Sequence, residues 1–441
     1  MNIALDLPIF SETSTRAANF FNGRLLTAED LSREQQANTD GHKQLGRALG
    51  DGIVRGLDVR EATSSTPTQP VLSISAGLAL NRRGRAIELM NDVQLPLRKP
   101  STTPTTSSET GFDECTPTHE GVYILESEGV YLLTVKPTEA REGRALVSGL
   151  NNNTSSCNSK SRVAAVKFRL ISLKENLSTE LSDLTANVKA DNSTANRTRQ
   201  THKLRNRVAH RCFGTGDPLL NSFVSDPFGA TANTYGLIDD LRLNTLTDCE
   251  VPLAVLYWTR AGVQFVDMWA VRRRVTAPTL LSAFTPLLSD RHASAMEAMV
   301  LQFQTQVMQI VADEIAPYQI VALDRFDFLP PVGILPITAP GNVRGLDDRI
   351  FTRGLTVRQE PSAFIEGAQF RALLHEALTF PPIDLHSGEM VWLYQVRENA
   401  QRRNQALPHP PQSYVVIVNG QIPYWGQARY DLNRWTYTRF A

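Results

Sequence analysis

The sequence has no excess of either charge, since its 45 lysine and arginine residues balance 45 aspartate and glutamate residues. Without a net field, neither nucleic acid nor an anionic membrane is a favoured partner. The longest apolar run, residues 251–258, is far shorter than the roughly 20 residues that cross a bilayer. The opening MNIALDLPIF lacks the basic start of a secretory signal. We therefore expect no nucleic acid, no transmembrane segment and a cytoplasmic location.

Cysteine is scarce and widely spaced. The four positions are Cys115, Cys157, Cys212 and Cys249. No two of them form a C-x-x-C pair, which a structural zinc site usually contains, and a disulfide framework would be denser. The spacing predicts free thiols. His210 and Cys212 could together bind a metal, but no second pair lies near them in the sequence, so we predict no metal site.

Motifs that carry chemistry are missing from the sequence. It contains no G-x-x-x-x-G-K-[ST] phosphate loop, no H-E-x-x-H zinc motif and no G-x-S-x-G nucleophile elbow. Gly214-Thr215-Gly216 is a glycine pair of the kind that ends helices. We therefore expect a protein that is not an enzyme and that has no catalytic residues and no cofactor.

The clearest feature that is present is a block from residue 20 to residue 59. Thr27 followed by Asp30 forms the pattern of a helix cap and predicts a helix from Ala28 to about Leu49. This helix has only a thin apolar stripe, which is typical of a helix on a surface or against a partner. Residues 51–59 then alternate as in a strand. The interface candidates in this block are Phe20, Phe21, Leu31 and Leu45.

A second feature is an aromatic hairpin, with strands predicted at residues 251–259 and 263–274 around a turn at 260–262. Its interface candidates are Trp258, Phe265, Trp269, Arg272 and Arg273. Aromatic side chains carry much of the energy of subunit contacts, but they also fill β cores, and both interpretations stay open. The arginines could bind carboxylates of a neighbour, or could end a solvated strand.

A third feature is a helix predicted over residues 289–316. Met296, Val300, Phe303, Val307 and Ile310 follow one another at the three- and four-residue steps of a coiled-coil seam. Val300, Phe303, Val307 and Ile310 are therefore interface candidates for a homo-oligomer, possibly a trimer. The alternative is a helix packed on the sheet of its own domain.

Taken along the chain, the pattern predicts an α+β fold with three domains. Residues 1–173 form a β-rich domain with an exposed helix, residues 174–338 a helical domain with the aromatic hairpin, and residues 339–441 an α+β or β-rich domain.

The predicted strands are 71–75, 78–80, 86–89, 122–125, 130–135, 163–173, 391–396 and 414–418. The other predicted helices are 175–186, 200–212 and 362–378. Polar linkers are predicted at 100–117 and 151–161, and a loop at 339–342. The three prolines within residues 325–336 predict an edge strand or stiff connector.

Four stretches carry a resemblance to a known family: residues 20–59, VPLAVLYWTRAGVQFVDMWAVRRRV at 251–275, RFDFLPPVGILP at 325–336, and YWGQARYDLNRWTYTRF from Tyr424. They resemble a family encoded among the genes of contractile injection systems, the phage-tail-like particles of bacteria. A fainter likeness in length and element order connects the chain to the type VI secretion baseplate protein that joins the membrane anchor.

The resemblance implies a non-catalytic structural component of such a particle, at or around the baseplate. Its partners would be other subunits, and the particle would be assembled in the cytoplasm and then released or docked on a membrane. The alternatives are a cap, a fibre-attachment protein or a membrane-anchor adaptor of the same machine. From a different class, a surface- or sugar-binding module stays open.

Overall fold

The computed structural model of the chain describes residues 15–98, 128–144, 159–215, 236–276, 290–314, 316–337, 345–358, 364–397 and 413–419. Helices combine there with mainly antiparallel sheets, so the predicted α+β class is confirmed. Several predicted segments lie outside these ranges: the strand at 122–125, the linker at 100–117, most of the linker at 151–161, the loop at 339–342 and the aromatic segment from residue 424.

The amino-terminal part consists of one long helix and two small sheets. Helix α1, Ala28–Leu49, leads into strand β1, Gly52–Gly56. The strands that follow are β2 Val59–Glu61, β3 Val71–Ile74, β4 Gly77–Leu80, β5 Ala86–Leu89 and β6 Val93–Pro96. They form antiparallel sheets in the orders β1-β4-β5 and β2-β3-β6, and the predicted strands at 71–75, 78–80 and 86–89 are confirmed. The chain passes from one sheet to the other at the fully buried Leu57, which has a φ of 58°.

A four-stranded antiparallel sheet forms the next layer. Its strands are β7 Gly129–Arg144, β8 Ser159–Ser172, β9 Val251–Thr259 and β10 Gly262–Asp267, in the order β10-β9-β7-β8. Because side chains alternate along a strand, Tyr131 and Leu133 pack against the amino-terminal sheets. Val130 and Leu132 pack against helices on the opposite face. The predicted aromatic hairpin therefore exists at one side of this sheet, but the prediction that its second strand runs to residue 274 is wrong, since the strand ends at Asp267.

The helices on that face are α2 Ser178–Ala190, α3 Thr194–Phe213, α4 Leu237–Asn244 and α5 Asp290–Asp313. Helix α3 begins before the predicted start at residue 200, because Ser193 caps it by accepting a 3.2 Å hydrogen bond from the amide of Asn196. Its first turns are polar and largely exposed, so no apolar period marks them in the sequence. Gly214 ends this helix in the left-handed conformation, as the glycine pair predicted.

The carboxyl-terminal part is a sheet with helix α5 on one face and the helix Gly367–Ala377 on the other. Its elements are β11 Phe328–Leu329, β12 Val332–Ile337, α6 Asp348–Phe351, β13 Thr356–Arg358, β14 Phe364–Glu366, α7 Gly367–Ala377, β15 Ile383–Asp384, β16 Met390–Arg397 and β17 Ser413–Asn419. The sheet order is β12-β17-β16-β13, and β14 also pairs with β16. Strand β12 lies at the edge, as the prolines predicted. The predicted helix at 362–378 is wrong over residues 364–366, which pair with β16 as a parallel strand.

Both predicted domain boundaries fall between strands that share a sheet. Strands β7 and β8 precede residue 174, and their neighbours β9 and β10 follow it. Strand β12 precedes residue 339, and its hydrogen-bonded neighbour β17 follows it. Polar linkers in the sequence show where the chain leaves a sheet, but they do not show that it later returns to the same one.

Candidate assembly surface

Helix α1 begins at a reciprocal cap. The Thr27 hydroxyl oxygen accepts a hydrogen bond from the Asp30 amide at 3.2 Å, and the Asp30 carboxylate accepts one from the Thr27 amide at 3.1 Å. This is the predicted capping box. The hydrogen bond from the Thr27 amide is the largest of several contacts that lower the pKa of the Asp30 carboxyl. The sequence at the start of α1 is thus sufficient to fix where the helix begins.

The carboxyl-terminal end of helix α1 contacts the amino-terminal sheets, which together with the rest of the chain after α1 we call the body. Gly46 lies directly on the turn between β4 and β5, where an added Cβ would stand 2.0 Å from the carbonyl oxygen of Gly84. Only glycine permits this close approach of two backbones. The helix has 22 residues and is therefore about 33 Å long at 1.5 Å per residue. Most of its length lies away from the sheets.

Residues of the same chain that precede α1 lie beside one face of the helix. The Ala18 amide donates a 3.2 Å hydrogen bond to the Glu34 carboxylate, which holds the preceding segment along the helix. A mainly polar groove remains between them, lined by Thr15, Arg16, Glu29, Ser32, Arg33, Gln36, Ala37 and Asp40. The helical members of this lining lie about 100–240° around the helix from Leu31, at 100° per residue.

The opposite face of α1 exposes leucines, which we call the leucine stripe: Leu31, Leu45 and Leu49. Their exposed fractions are 52%, 67% and 61%. At 100° per residue the three lie within about 40° of one another. Phe20 and Phe21, in the preceding segment, are also more than half exposed. The sequence candidates Phe20, Phe21, Leu31 and Leu45 are therefore all accessible to a partner.

The aromatic hairpin, by contrast, points into the chain. Trp258 is 8% exposed and packs in the core shared with the amino-terminal strands, and Phe265 packs against the helices on the other face. Trp269, which follows β10, is half-buried. Of the two interpretations left open by the sequence, the core interpretation fits Trp258 and Phe265, and their candidacy as interface residues is wrong.

The two arginine candidates bind groups of their own chain. Arg272 is buried and donates hydrogen bonds to the carbonyl oxygen of Gly56 at 2.7 Å and to the carboxylate of Asp58 at 2.9 Å. Burial lowers the pKa of Arg272, and the Asp58 carboxylate opposes that shift. Arg273 donates to the carbonyl oxygen of Trp269 at 3.1 Å and lies over the ring of Phe213. The predicted contact of these arginines with a neighbour's carboxylates is replaced by contacts within the chain.

The predicted seam of helix α5 also faces inward. Phe303, Val307 and Ile310 are almost completely buried in the core beneath the carboxyl-terminal sheet, and Val300 is half-buried against its other core cluster. The seam is therefore the packing surface of α5 within one chain, which was the alternative to a trimer. A trimer formed through these side chains would first have to open that core.

His210 and Cys212, which the sequence offered as a possible metal-binding pair, are both buried. The Nδ1 atom of His210 lies 2.8 Å from the Thr215 hydroxyl oxygen, and its ring stacks on Phe328. Burial lowers the pKa of His210 to about 3 and raises that of the free Cys212 thiol to about 12. Nowhere in the described ranges do three or more His, Cys, Asp or Glu side chains gather as metal ligands would.

The prediction of free thiols is wrong for Cys249, which is disulfide-bonded. Cys212 is free, and Cys115 and Cys157 lie outside the described residues. Residue spacing could not reveal this bond, because a disulfide needs two Cβ atoms about 4 Å apart in space and not a particular separation along the chain.

Sequence reasoning missed a charged cluster at Asp327. Its carboxylate is almost completely buried and is bound by Arg207, by Lys203 at 3.3 Å and by the Nε2 atom of His386 at 2.9 Å. Burial alone would raise its pKa, but the hydrogen bonds from His386 and Arg207 hold the pKa of Asp327 below its usual value. The cluster joins α3 to the carboxyl-terminal part. No local sequence pattern predicts it, because its members are distant from one another along the chain.

No protein-family model matches this sequence, and no curated protein matches it. Across the described ranges, every helix is too short or too polar to cross a lipid bilayer.

Proposed function

We propose that this protein is a structural subunit of a contractile, phage-tail-like injection particle, located at or around the baseplate. The observation that carries the proposal is the leucine stripe of α1, three exposed leucines on one face of a helix in which only Asp30 and Gly46 are buried. The resemblance of residues 20–59 to a family encoded with such particles supports the same role, since α1 lies within that block.

Helix α1 packs little of its surface on the rest of the chain, since only Asp30 and Gly46 are buried. Most helices in proteins gain their stability by packing an apolar face. Helix α1 packs on the body mainly at Gly46 and leaves three leucines in solvent. Burying a leucine side chain contributes about 1.5–3 kcal/mol, so covering these partly exposed ones would contribute about 1–2 kcal/mol each. A subunit contact would supply that cover.

A cap, a fibre-attachment protein or a membrane-anchor adaptor of the same machine would use α1 in the same way, and these positions differ only in the neighbouring subunit. The surface- or sugar-binding module was suggested by the aromatic, β-rich carboxyl-terminal part, whose segment from Tyr424 lies outside the described residues. The exposed leucine stripe favours a protein partner instead, so we place the particle subunit first.

The disulfide at Cys249 bears on the proposed location. Disulfides persist mainly in oxidising environments and are rare in the cytosol. We propose assembly in the cytoplasm, followed by release of the particle or its docking on a membrane, and the bond would then form or persist in the exported particle.

The experiment is to purify contractile particles from cells that express this chain and to quantify their subunits by mass spectrometry. We expect the chain at a fixed ratio to the sheath and tube proteins. A chain that is expressed but never found with sheath or tube proteins would overturn the proposal.

A further inference from the structure

Helix α1 lies against the turn between β4 and β5, residues 81–85, which we call the α1 anchor. The two backbones meet at two points. An added Cβ at Gly46 would stand 2.0 Å from the carbonyl oxygen of Gly84, and one at Gly84 would stand 2.0 Å from the carbonyl oxygen of Lys43. Gly84 also has a φ of 76°, a conformation that favours glycine. The anchor therefore packs backbone against backbone on one turn of the helix.

The α1 anchor is itself bound to the four-stranded sheet. The buried side chain of Asn81 donates a 3.1 Å hydrogen bond to the carbonyl oxygen of Cys249. The amide of Arg82 donates another, also of 3.1 Å, to the carbonyl oxygen of Asp248. Both acceptors belong to the turn that leads into strand β9. A movement of the anchor would break these hydrogen bonds.

The chain is held again where it leaves α1. The guanidinium of Arg82 lies 3.5 Å from the carboxylate of Asp51, two residues after the helix ends. The amide of Ile53 in β1 donates a 2.8 Å hydrogen bond to the carbonyl oxygen of Arg273. Contacts therefore hold the chain on both sides of Gly50, the residue that caps the helix. A hinge motion at this glycine would have to break them.

Before the anchor, little of α1 is buried. Among residues 28–42 of the helix only Asp30 is buried, and its carboxylate binds Thr27 and Arg24 beside it. Leu31 lies about 22 Å from Gly46 along the helix axis, at 1.5 Å per residue. A change of about 10° in the helix direction would therefore displace Leu31 by about 4 Å. A gap of about 1 Å already removes up to half of a van der Waals attraction, so the position of the leucine stripe depends on the anchor.

We propose that the α1 anchor holds α1 as a rigid arm, in one direction relative to the four-stranded sheet, and thereby sets where the leucine stripe meets its partner. The proposal rests on the proposed function only in taking the leucine stripe as the contact surface. It makes Gly46 and Gly84 positioning residues, which determine the direction of the helix without contacting the partner.

Distances between two spin labels in the full-length protein test the rigid arm. The labels are introduced at Gln35 in α1 and at Leu243 in α4, which are both exposed, as unnatural amino acids so that the native cysteines stay unlabelled. Pulsed electron paramagnetic resonance then gives the distribution of distances. We expect one narrow distribution in the otherwise unchanged protein.

Gly46→Ala should disturb this distribution, because the added methyl group forces two backbones apart. We expect the distance to shift or its distribution to widen by about 4 Å, the displacement that follows from a tilt of about 10°. The matched control is Gly41→Ala, which makes the same change in the same helix at a position where an added Cβ meets nothing within 4 Å. The control should leave the distribution unchanged.

Two results would overturn the proposal. One is a broad distribution in the protein without Gly46→Ala, a result that does not depend on whether the variant folds. The other is a folded Gly46→Ala protein whose distribution matches that of the Gly41→Ala control.

The arm and the particle fail separately. Gly46→Ala should be depleted from purified particles relative to Gly41→Ala, although the leucine stripe is the same in both. Equal incorporation of the two would overturn the role of the helix direction. A rigid arm in a chain that never accompanies sheath or tube proteins would overturn only the particle role.

Discussion

Replacement of Phe303 by alanine distinguishes a core helix from a subunit seam. Phe303 is 1% exposed, and its ring lies 5.3 Å from the ring of Phe326, measured between centroids. On the other side it packs onto Gly333, where an added Cβ would stand 2.5 Å from the ring. The backbone of β12 and the buried Phe326 limit how far this site can collapse. Phe303→Ala should therefore lower the free energy of unfolding by about 3–5 kcal/mol, the usual cost of such a truncation in a core.

The assay is urea unfolding followed by circular dichroism at two protein concentrations that differ tenfold. Because the lost contacts lie within one chain, the decrease should be the same at both concentrations. Met308→Ala is the matched control, since Met308 lies on the same helix and is 58% exposed, and it should change stability by less than about 0.5 kcal/mol. The reasoning is refuted if Phe303→Ala costs less than about 1 kcal/mol and instead yields a folded species of lower oligomeric mass.

Three further predictions concern polar and sulfur groups. Glu250→Gln should lower the free energy of unfolding by about 3–5 kcal/mol, because it leaves the guanidinium of Arg169, now 2.9 Å from both carboxylate oxygens, buried without its counter-charge. Asp327 has a pKa below its unfolded value of 3.8, so its contribution is present above about pH 4 and is lost as the pH falls through the folded pKa. Asp327→Asn should therefore make the stability measured by urea unfolding less dependent on pH below about pH 4. Because Cys249 is disulfide-bonded, a thiol reagent in denaturant should titrate two of the four cysteines without reductant and all four after reduction.

Each of these has an outcome that contradicts it. Glu88→Gln is the control for the buried pair, since Glu88 forms an exposed ion pair with Arg55 and should cost less than about 1 kcal/mol. If Glu250→Gln and Glu88→Gln lower the free energy of unfolding equally, the buried ion pair contributes no more to stability than the exposed one. If Asp327→Asn leaves the pH dependence of the stability below about pH 4 unchanged, this carboxylate does not control that dependence. Four reactive thiols without reductant would exclude the disulfide.

The sequence predicted best those features whose contacts are local. Helix α1 begins and ends where the pattern placed it, because its cap joins residues three positions apart. The hairpin of β9 and β10 was also predicted, since its turn and strands are adjacent in the chain. The exposure of α1 followed from its sparse apolar residues.

Features that depend on distant partners were not predicted. Arg272 binds Asp58, which lies 214 positions away, and Asn206 binds the backbone of Phe328 from 122 positions away. The seam spacing of α5 was likewise ambiguous, because it fits both a trimer and packing within one chain. Only the burial of Phe303, Val307 and Ile310 shows that α5 packs within the chain.

The most direct test of the account is competitive incorporation into particles. Cells would express wild-type chain and the Leu31→Asp/Leu45→Asp variant together at equal levels, and mass spectrometry would measure the ratio of the two in purified particles and in the free pool. We predict that the variant is depleted from particles while its melting temperature stays within about 2 °C of the wild type, since the substituted positions are exposed. Equal incorporation of both chains would contradict the assignment of α1 as the assembly surface.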